Sequence, residues 1–95
     1  GHQSSYALLQ NYPNPFNPST TIEFVLLKAS KVSLSIHNLS GQLVKTLISD
    51  DTAAGNHSIT WNGSDDGGRR VSSGMYLFRL DADGFVAQKK LVLLR

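Results

Sequence analysis

The amino-acid sequence predicts an all-β protein, and three observations carry that prediction. Apolar and polar residues alternate with a period of two along several short runs, the pattern of half-buried strands. Glycines at positions 41, 55, 63, 67, 68, 74 and 84 break the chain at short intervals, too close together for long helices. The charged fraction is only 17%, below what solvated helical faces usually carry. At 95 residues the chain holds one domain.

The clearest strand runs from Lys31 to Asn38, where Val32, Leu34 and Ile36 alternate with Ser33, Ser35 and His37. Before it, Thr21 to Leu27 sets Ile22, Phe24 and Leu26 on one face and Glu23 on the other. Asn38-Leu39-Ser40-Gly41 reads as a tight turn into Gln42 to Ile48. That segment is ambiguous, because Leu43, Val44, Leu47 and Ile48 fit a helical face as well as a strand. Its shortness and its place between strands favour a strand. His57 to Trp61 puts Ile59 and Trp61 on one face. Met75 to Asp81 does the same with Tyr76, Phe78 and Leu80. Phe85 to Leu94 closes the chain, joined to the preceding strand by a hairpin over Asp81-Ala82-Asp83-Gly84.

Six or seven short strands need a second layer to cover their apolar face. The expected fold is therefore a small antiparallel β-sandwich of immunoglobulin-like type, with a small closed barrel as the alternative. Surface scaling gives about 5,400 Å² exposed when folded, enough burial for one modest core. Trp61 shares parity with Ile59 and is expected inside. Residues 1–10 read as linker with Gly1-His2 a cloning remnant, and residues 11–95 as the domain.

Composition excludes several functions. Nine basic against seven acidic residues give a net charge of +2, too weak an electrostatic footprint for nucleic acid. No apolar run approaches bilayer length, so no membrane span is expected. No basic stretch followed by an apolar segment opens the chain, so no signal peptide is expected in it, and if the domain is secreted its export signal lies upstream. There is no cysteine, hence no disulfide framework. Nucleophile elbows and phosphate loops are absent, Glu23 is the only glutamate, and the aspartates sit in segments read as solvated turns. The chain is expected to be non-enzymatic and to need no cofactor.

Asn62, Ser64 and Asp66 place oxygen side chains at alternate positions before a glycine, as a calcium loop begins. Position twelve of that register is Ser73 rather than a bidentate glutamate, so a Gly/Asp-rich connection is the better reading. His37 and His57 lack a third ligand. Three glycosylation sequons, at Asn38, Asn56 and Asn62, are ordinary for so turn-rich a chain and receive no function. Pro13, Pro15 and Pro18 stiffen the stretch before the first long strand, which reads as a rigid arm with Phe16 tucked against the core.

The string Asn11-Tyr12-Pro13-Asn14-Pro15-Phe16-Asn17-Pro18-Ser19-Thr20-Thr21-Ile22 resembles the opening of the type A C-terminal sorting domains of the bacterial type IX secretion system. Ile36 to Val44 is similar to that family's "iyn-x-x-G-q-x-V" stretch, with Gly41 at its glycine and His37 where Tyr is common. Ala54 to His57 and Trp61-Asn62-Gly63 resemble "aG-x-h…WdG", Asn62 replacing Asp. Val71 to Tyr76 resembles "v-x-sG-x-Y", which brings in Gly74 and Tyr76, and Lys89, Lys90 and Arg95 match the basic close.

The resemblance implies a sandwich related to the immunoglobulin-like domain of the flagellar hook-capping protein. It also implies a non-catalytic signal that carries upstream cargo domains through the periplasm of a Gram-negative bacterium and across the outer membrane. Its expected partners are the secretion translocon and a sortase-like peptidase, and its destination is the cell surface or the medium. Gly74, Lys89, Lys90 and Arg95 are then the candidate recognition residues, with Pro13, Pro15, Phe16, Pro18, Gly41, Trp61 and Tyr76 as structural positions. The rival reading is an immunoglobulin-like accessory domain, either spacer or carbohydrate-binding module, of a secreted hydrolase.

Overall fold

A computed structural model describes residues 6–16 and 18–95. Gly1-His2 and Asn17 lie outside the described residues. The described chain exposes 5515 Å², close to what its length calls for.

Seven strands occur among the described residues: β1 (Ala7–Leu8), β2 (Thr20–Leu26), β3 (Ser30–Asn38), β4 (Leu43–Thr52), β5 (Gly55–Trp61), β6 (Gly74–Ala82) and β7 (Phe85–Leu93). They form two antiparallel sheets, β1-β2-β5 and β4-β3-β6-β7. The alternation that marks the strands also makes the core. Ile22, Phe24 and Leu26 of β2 meet Val32, Leu34 and Ile36 of β3 and Tyr76, Phe78 and Leu80 of β6, together with Trp61, Leu91 and Leu93. The fold is the predicted sandwich.

Three local expectations change. Residues 6–10 are part of the sandwich rather than linker: Ala7 pairs with Val25, Leu8 pairs with Phe24, and Leu8 is buried. Two residues are too few to display a periodicity, so sequence alone could not reveal this strand. The last hairpin is tighter than expected, because Ala82 pairs with Phe85 and only Asp83-Gly84 turn. Both turn residues have positive φ (50° and 83°), the primed geometry that Asp-Gly favours. Finally, Asp50 and Asp51 lie in β4 and Asp81 in β6, although their side chains meet solvent as foreseen for Asp50 and Asp51.

β4 is a strand, and its ambiguity has a structural cause. Leu34 pairs with Ile48 but Ser35 with Thr46, and Ile36 pairs with Lys45 but His37 with Leu43. Leu47 and Val44 are therefore the extra residues of two bulges. Each bulge resets the alternation, so the apolar positions fall in doublets.

Candidate recognition surface at the last strand

The expected recognition residues lie on β7 and at the ends of its neighbours. β7 is an edge strand, held on one side by β6. Lys89 pairs with the buried Phe78 and is half-buried in the inward rank with Ala87 and Leu91. Its stem can lie along apolar surface while its ammonium reaches water. Lys90 pairs with Leu77 and is exposed on the outer face. The two lysines thus stand on opposite faces, as strand parity requires. Neither makes an ion pair among the described residues.

The free side of β7 is partly taken by the chain's own beginning. After Leu9 N–H bonds to Glu23 O, Tyr12 exchanges both backbone hydrogen bonds with Thr21. The arm then crosses to the other sheet. Gln10 Nε2 donates to Lys90 O at 2.7 Å, Asn14 Oδ1 accepts from Val92 N at 3.0 Å, and Phe16 bonds to Val92 O and Leu94 N. Pro13, Asn14, Pro15 and Pro18 stay exposed while Phe16 is 1% exposed. Asn11, also buried, donates to Thr20 Oγ1 and Pro13 O, and Thr20 Oγ1 donates to Pro13 O. Phe16 is tucked into the core as expected, and the arm also joins the edge of one sheet to the edge of the other.

Phe16 ends in an aromatic group with Trp61 and Tyr76. Ring centroids lie 5.5 Å apart for Phe16–Trp61 and 5.7 Å for Trp61–Tyr76, the latter edge to face. Their polar handles go to the long loop between β5 and β6: Trp61 Nε1 donates to Ser64 O, and Tyr76 Oη to Ser72 O. No buried side-chain polar atom among the described residues lacks a partner. Gly41 takes φ +84° in a turn where Asn38 Oδ1 accepts from Ser40 N and Gln42 N.

Arg95 departs most from a displayed recognition charge. Its Nη2 donates to Gly63 O and its Nε to Val71 O, both at 2.6 Å, and its own N–H bonds to Ser73 Oγ. Val71 N–H shares the Gly63 carbonyl at 2.9 Å. Arg95 is thus a latch on the base of the loop, and Gly63 makes room for it. A Cβ there would stand 2.9 Å from Nη2, and φ is +78°. Gly74 is needed for its backbone, φ +154°, and not for a close approach, since open space surrounds its Cβ position.

The calcium-like positions do not converge. Asn62 Oδ1 accepts from Ser64 N and Ser64 Oγ, while Asp66 Oδ1 accepts from Thr46 N on β4. Asp65 Oδ1, which sequence reasoning passed over, caps Gly67 N and Arg69 N. The loop uses its oxygens to hold its own backbone.

At the opposite pole Lys28 Nζ lies 3.1 Å from Asp83, whose carboxylate also accepts from Tyr6 Oη, and Tyr6 stacks on Phe85. The hydrogen bond from Lys28, then that from Tyr6, holds the Asp83 carboxyl below its ordinary pKa. The same bond to Asp83 raises Lys28 above its own.

This geometry has relatives. Two solved Porphyromonas gingivalis proteins superpose on 94% of the chain: dimeric latent PorU (21% identity, TM-score 0.75) and PorZ (22%, 0.65). PorZ is an essential surface component of that organism's type IX secretion system. The chain spans only 9% and 12% of those two proteins, and their likeness establishes the fold alone. FlgD of Xanthomonas campestris, a protein of flagellar hook capping, is 25% identical over 92% of this chain and 64% of its own, with a TM-score of 0.64. No curated protein sequence matches significantly. The sequence pattern of the FlgD Ig-like domain matches residues 17–84, from the arm to the last hairpin. The chain belongs to the FlgD Ig-like domain family.

Proposed function

We propose that the domain is a non-catalytic sorting module that sends an upstream cargo across a bacterial outer membrane by the type IX secretion system and to the cell surface. β7 carries this reading: an edge strand with Lys89 and Lys90 on opposite faces, neither ion-paired among the described residues. Such a strand offers a translocon two separate cationic contacts on a rigid frame. The occurrence of the same fold within PorU and PorZ supports the assignment, as does the arm sequence from Asn11 to Ile22. Cleavage from the cargo by a sortase-like peptidase belongs to the same proposal, and so does a periplasmic route to the surface. Arg95 then serves recognition indirectly, by fixing the loop beside the end of β7.

The test is a fusion of a reporter to the complete domain in a type IX-secreting host. Truncating Lys89 to Arg95 is a poor probe, because Leu91 and Leu93 are core residues and their loss unfolds the sandwich. A Lys89→Ala/Lys90→Ala double variant keeps the core. We expect it to retain the reporter inside the cell while the purified domain melts as before. Normal export by both the double variant and a fusion lacking the whole domain overturns the proposal.

An accessory glycan-binding role has one observation in its favour, Tyr12 at 80% exposure beside exposed Pro13 and Pro15. Trp61 offers it nothing, being 1% exposed. Polysaccharide depletion of the wild type but not of Tyr12→Ala would support that reading instead.

A further inference from the structure

The sandwich is unequal on its two long sides. Three of its four strand edges carry a guard of the kind natural sheets use against pairing. β1 is only two residues long. β7 is capped by the arm through Val92 and Leu94. β4 is tied to the long loop through Asp66, which bonds Val44 O and Thr46 N, and carries Asp50 and Asp51 along the rest of its length. Among the described residues β5 has none of these. It is seven residues, Gly55-Asn56-His57-Ser58-Ile59-Thr60-Trp61, with no Lys, Arg, Asp, Glu or Pro.

Strand alternation identifies its outward groups. Thr21 gives both backbone bonds to Tyr12, and Glu23 O accepts from Leu9, so odd-numbered residues of β2 face the arm and β1. Even-numbered residues of β2 therefore bond to their β5 partners, Ile22 to Ile59 and Phe24 to His57. Ser58 and Thr60 are left with N–H and C=O turned away from the sheet.

Beside that edge lies incompletely covered apolar surface. β4 and β5 are the edge strands of opposite sheets, joined by the short Ala53-Ala54 connection, so they flank the same side of the sandwich. The sheet containing β5 is a strand narrower than the sheet it covers. Correspondingly, no residue of β4 is fully buried, and its Val44, Leu47 and Ile48, like Ile59 of β5, pack on the core only half-buried. Lys45 pairs with the inward-facing Ile36, so its half-buried side chain belongs to the same inner face. Its ammonium has no ion pair or hydrogen bond among the described residues.

We infer that β5 accepts an added strand from a partner protein: an extended segment with alternating apolar residues and an acidic residue over Lys45. Backbone bonds to Ser58 and Thr60 would hold it, its apolar rank would cover Val44, Leu47, Ile48 and Ile59, and its carboxylate would meet the unpaired ammonium. A second copy of this chain fits less well, because β5 itself carries no acid to place on Lys45. Lys45 as a simple guard against pairing is the remaining alternative.

The experiment uses the 95-residue chain and two acetylated Val-Thr alternating peptides, identical except for one Glu or one Lys near an end. Backbone amide exchange at Ser58 and Thr60 is followed by NMR, and self-association by sedimentation. We expect the Glu peptide to slow exchange at both residues and to bind about fivefold more tightly than the Lys peptide. Lys45→Glu reverses that preference. Ser58→Pro, which removes only an outward N–H at an edge position and so leaves the β2 ladder intact, abolishes binding of both peptides.

Three results overturn the inference. One is unchanged exchange at Ser58 and Thr60 with either peptide. Another is equal affinity for the two peptides in both wild type and Lys45→Glu. The third is protection that rises with protein concentration alone and tracks a sedimenting dimer, which assigns the edge to a second copy.

Discussion

The two long sides of this sandwich are built from similar strands and closed in opposite ways. On the β1/β7 side the chain returns over its own edges. Phe16 enters the core, the arm bonds to β7, and Tyr6 reaches the last hairpin. On the β4/β5 side only the short connection at Ala53-Ala54 and the loop bond of Asp66 to Val44 and Thr46 link the two edges among the described residues, and apolar residues stop at half-burial. The same hydrophobic driving force acts on both sides. What differs is whether the chain supplies a segment to cover the flank. A domain that closes one flank with its own residues 6–16 and leaves the other half-covered has fixed where its arm runs and leaves β5 as the edge at which the inferred strand would join.

Breaking the closed side carries the largest effect. Phe16 is 1% exposed and touches Trp61, so Phe16→Ala removes a buried ring and loosens the arm that depends on it. The expected loss is about 3–5 kcal/mol, read from urea unfolding. Amide exchange should rise at Val92 and Leu94, whose partners lie in the arm. If those amides stay protected, the arm does not depend on its anchor. A cheaper comparison sits within one ladder pair: Ile22 is buried and its partner Ile59 is half-buried. Ile22→Ala should lose about 2–5 kcal/mol, and Ile59→Ala distinctly less. Equal losses would mean that the open side is packed as well as the closed one.

The latch is the next largest effect. Arg95→Ala deletes two charge-assisted hydrogen bonds to carbonyls, for about 2 kcal/mol. Exchange at the Val71 amide should rise with it, because that amide shares the Gly63 acceptor. Gly63→Ala should destabilise through both its positive φ and the contact with Nη2. In a double-mutant cycle only the contact disappears when Arg95 is already Ala, so the two changes together should cost less than their sum.

How far these features were legible in the sequence follows from their physics. β2, β3, β5, β6 and β7 could be read because each buries one face without interruption, and burial of one face writes period two into the chain. β4 resisted reading because Val44 and Leu47 are bulged, which turns alternation into doublets. β1 is too short to have a period. Phe16 was legible as a buried anchor because prolines surround an isolated ring. Lys89 and Lys90 were legible as opposite-facing because parity is local. The latch role of Arg95 was not legible, since the resemblance placed it only in a basic close and the two carbonyls it meets lie 24 and 32 positions away. Asn11 and Asn14 were lost among turn residues for the same reason: a buried Asn and an exposed one are spelled alike.

The smallest expected effect is the pH response of the closed side's far end. Asp83 is exposed, and its carboxyl is held below the ordinary value by Lys28 and then Tyr6. A folded pKa below the unfolded one stabilises the fold above the ordinary value of 3.8, and that contribution disappears as pH falls through the lowered folded value. Lys28 is the mirror case: its raised pKa contributes fully below 10.5 and is lost as pH climbs through the folded value. Asp83→Asn should therefore sit slightly below wild type in thermal stability at neutral pH, and the two should converge on acidification. Salt should narrow the neutral-pH difference, because both charges are open to solvent. If the gap instead persists unchanged through acid, the carboxylate charge is not what ties Tyr6 and Lys28 to the hairpin. The gap would then come from the side-chain exchange itself at the positive-φ turn position, since the Tyr6–Phe85 stack is common to both proteins.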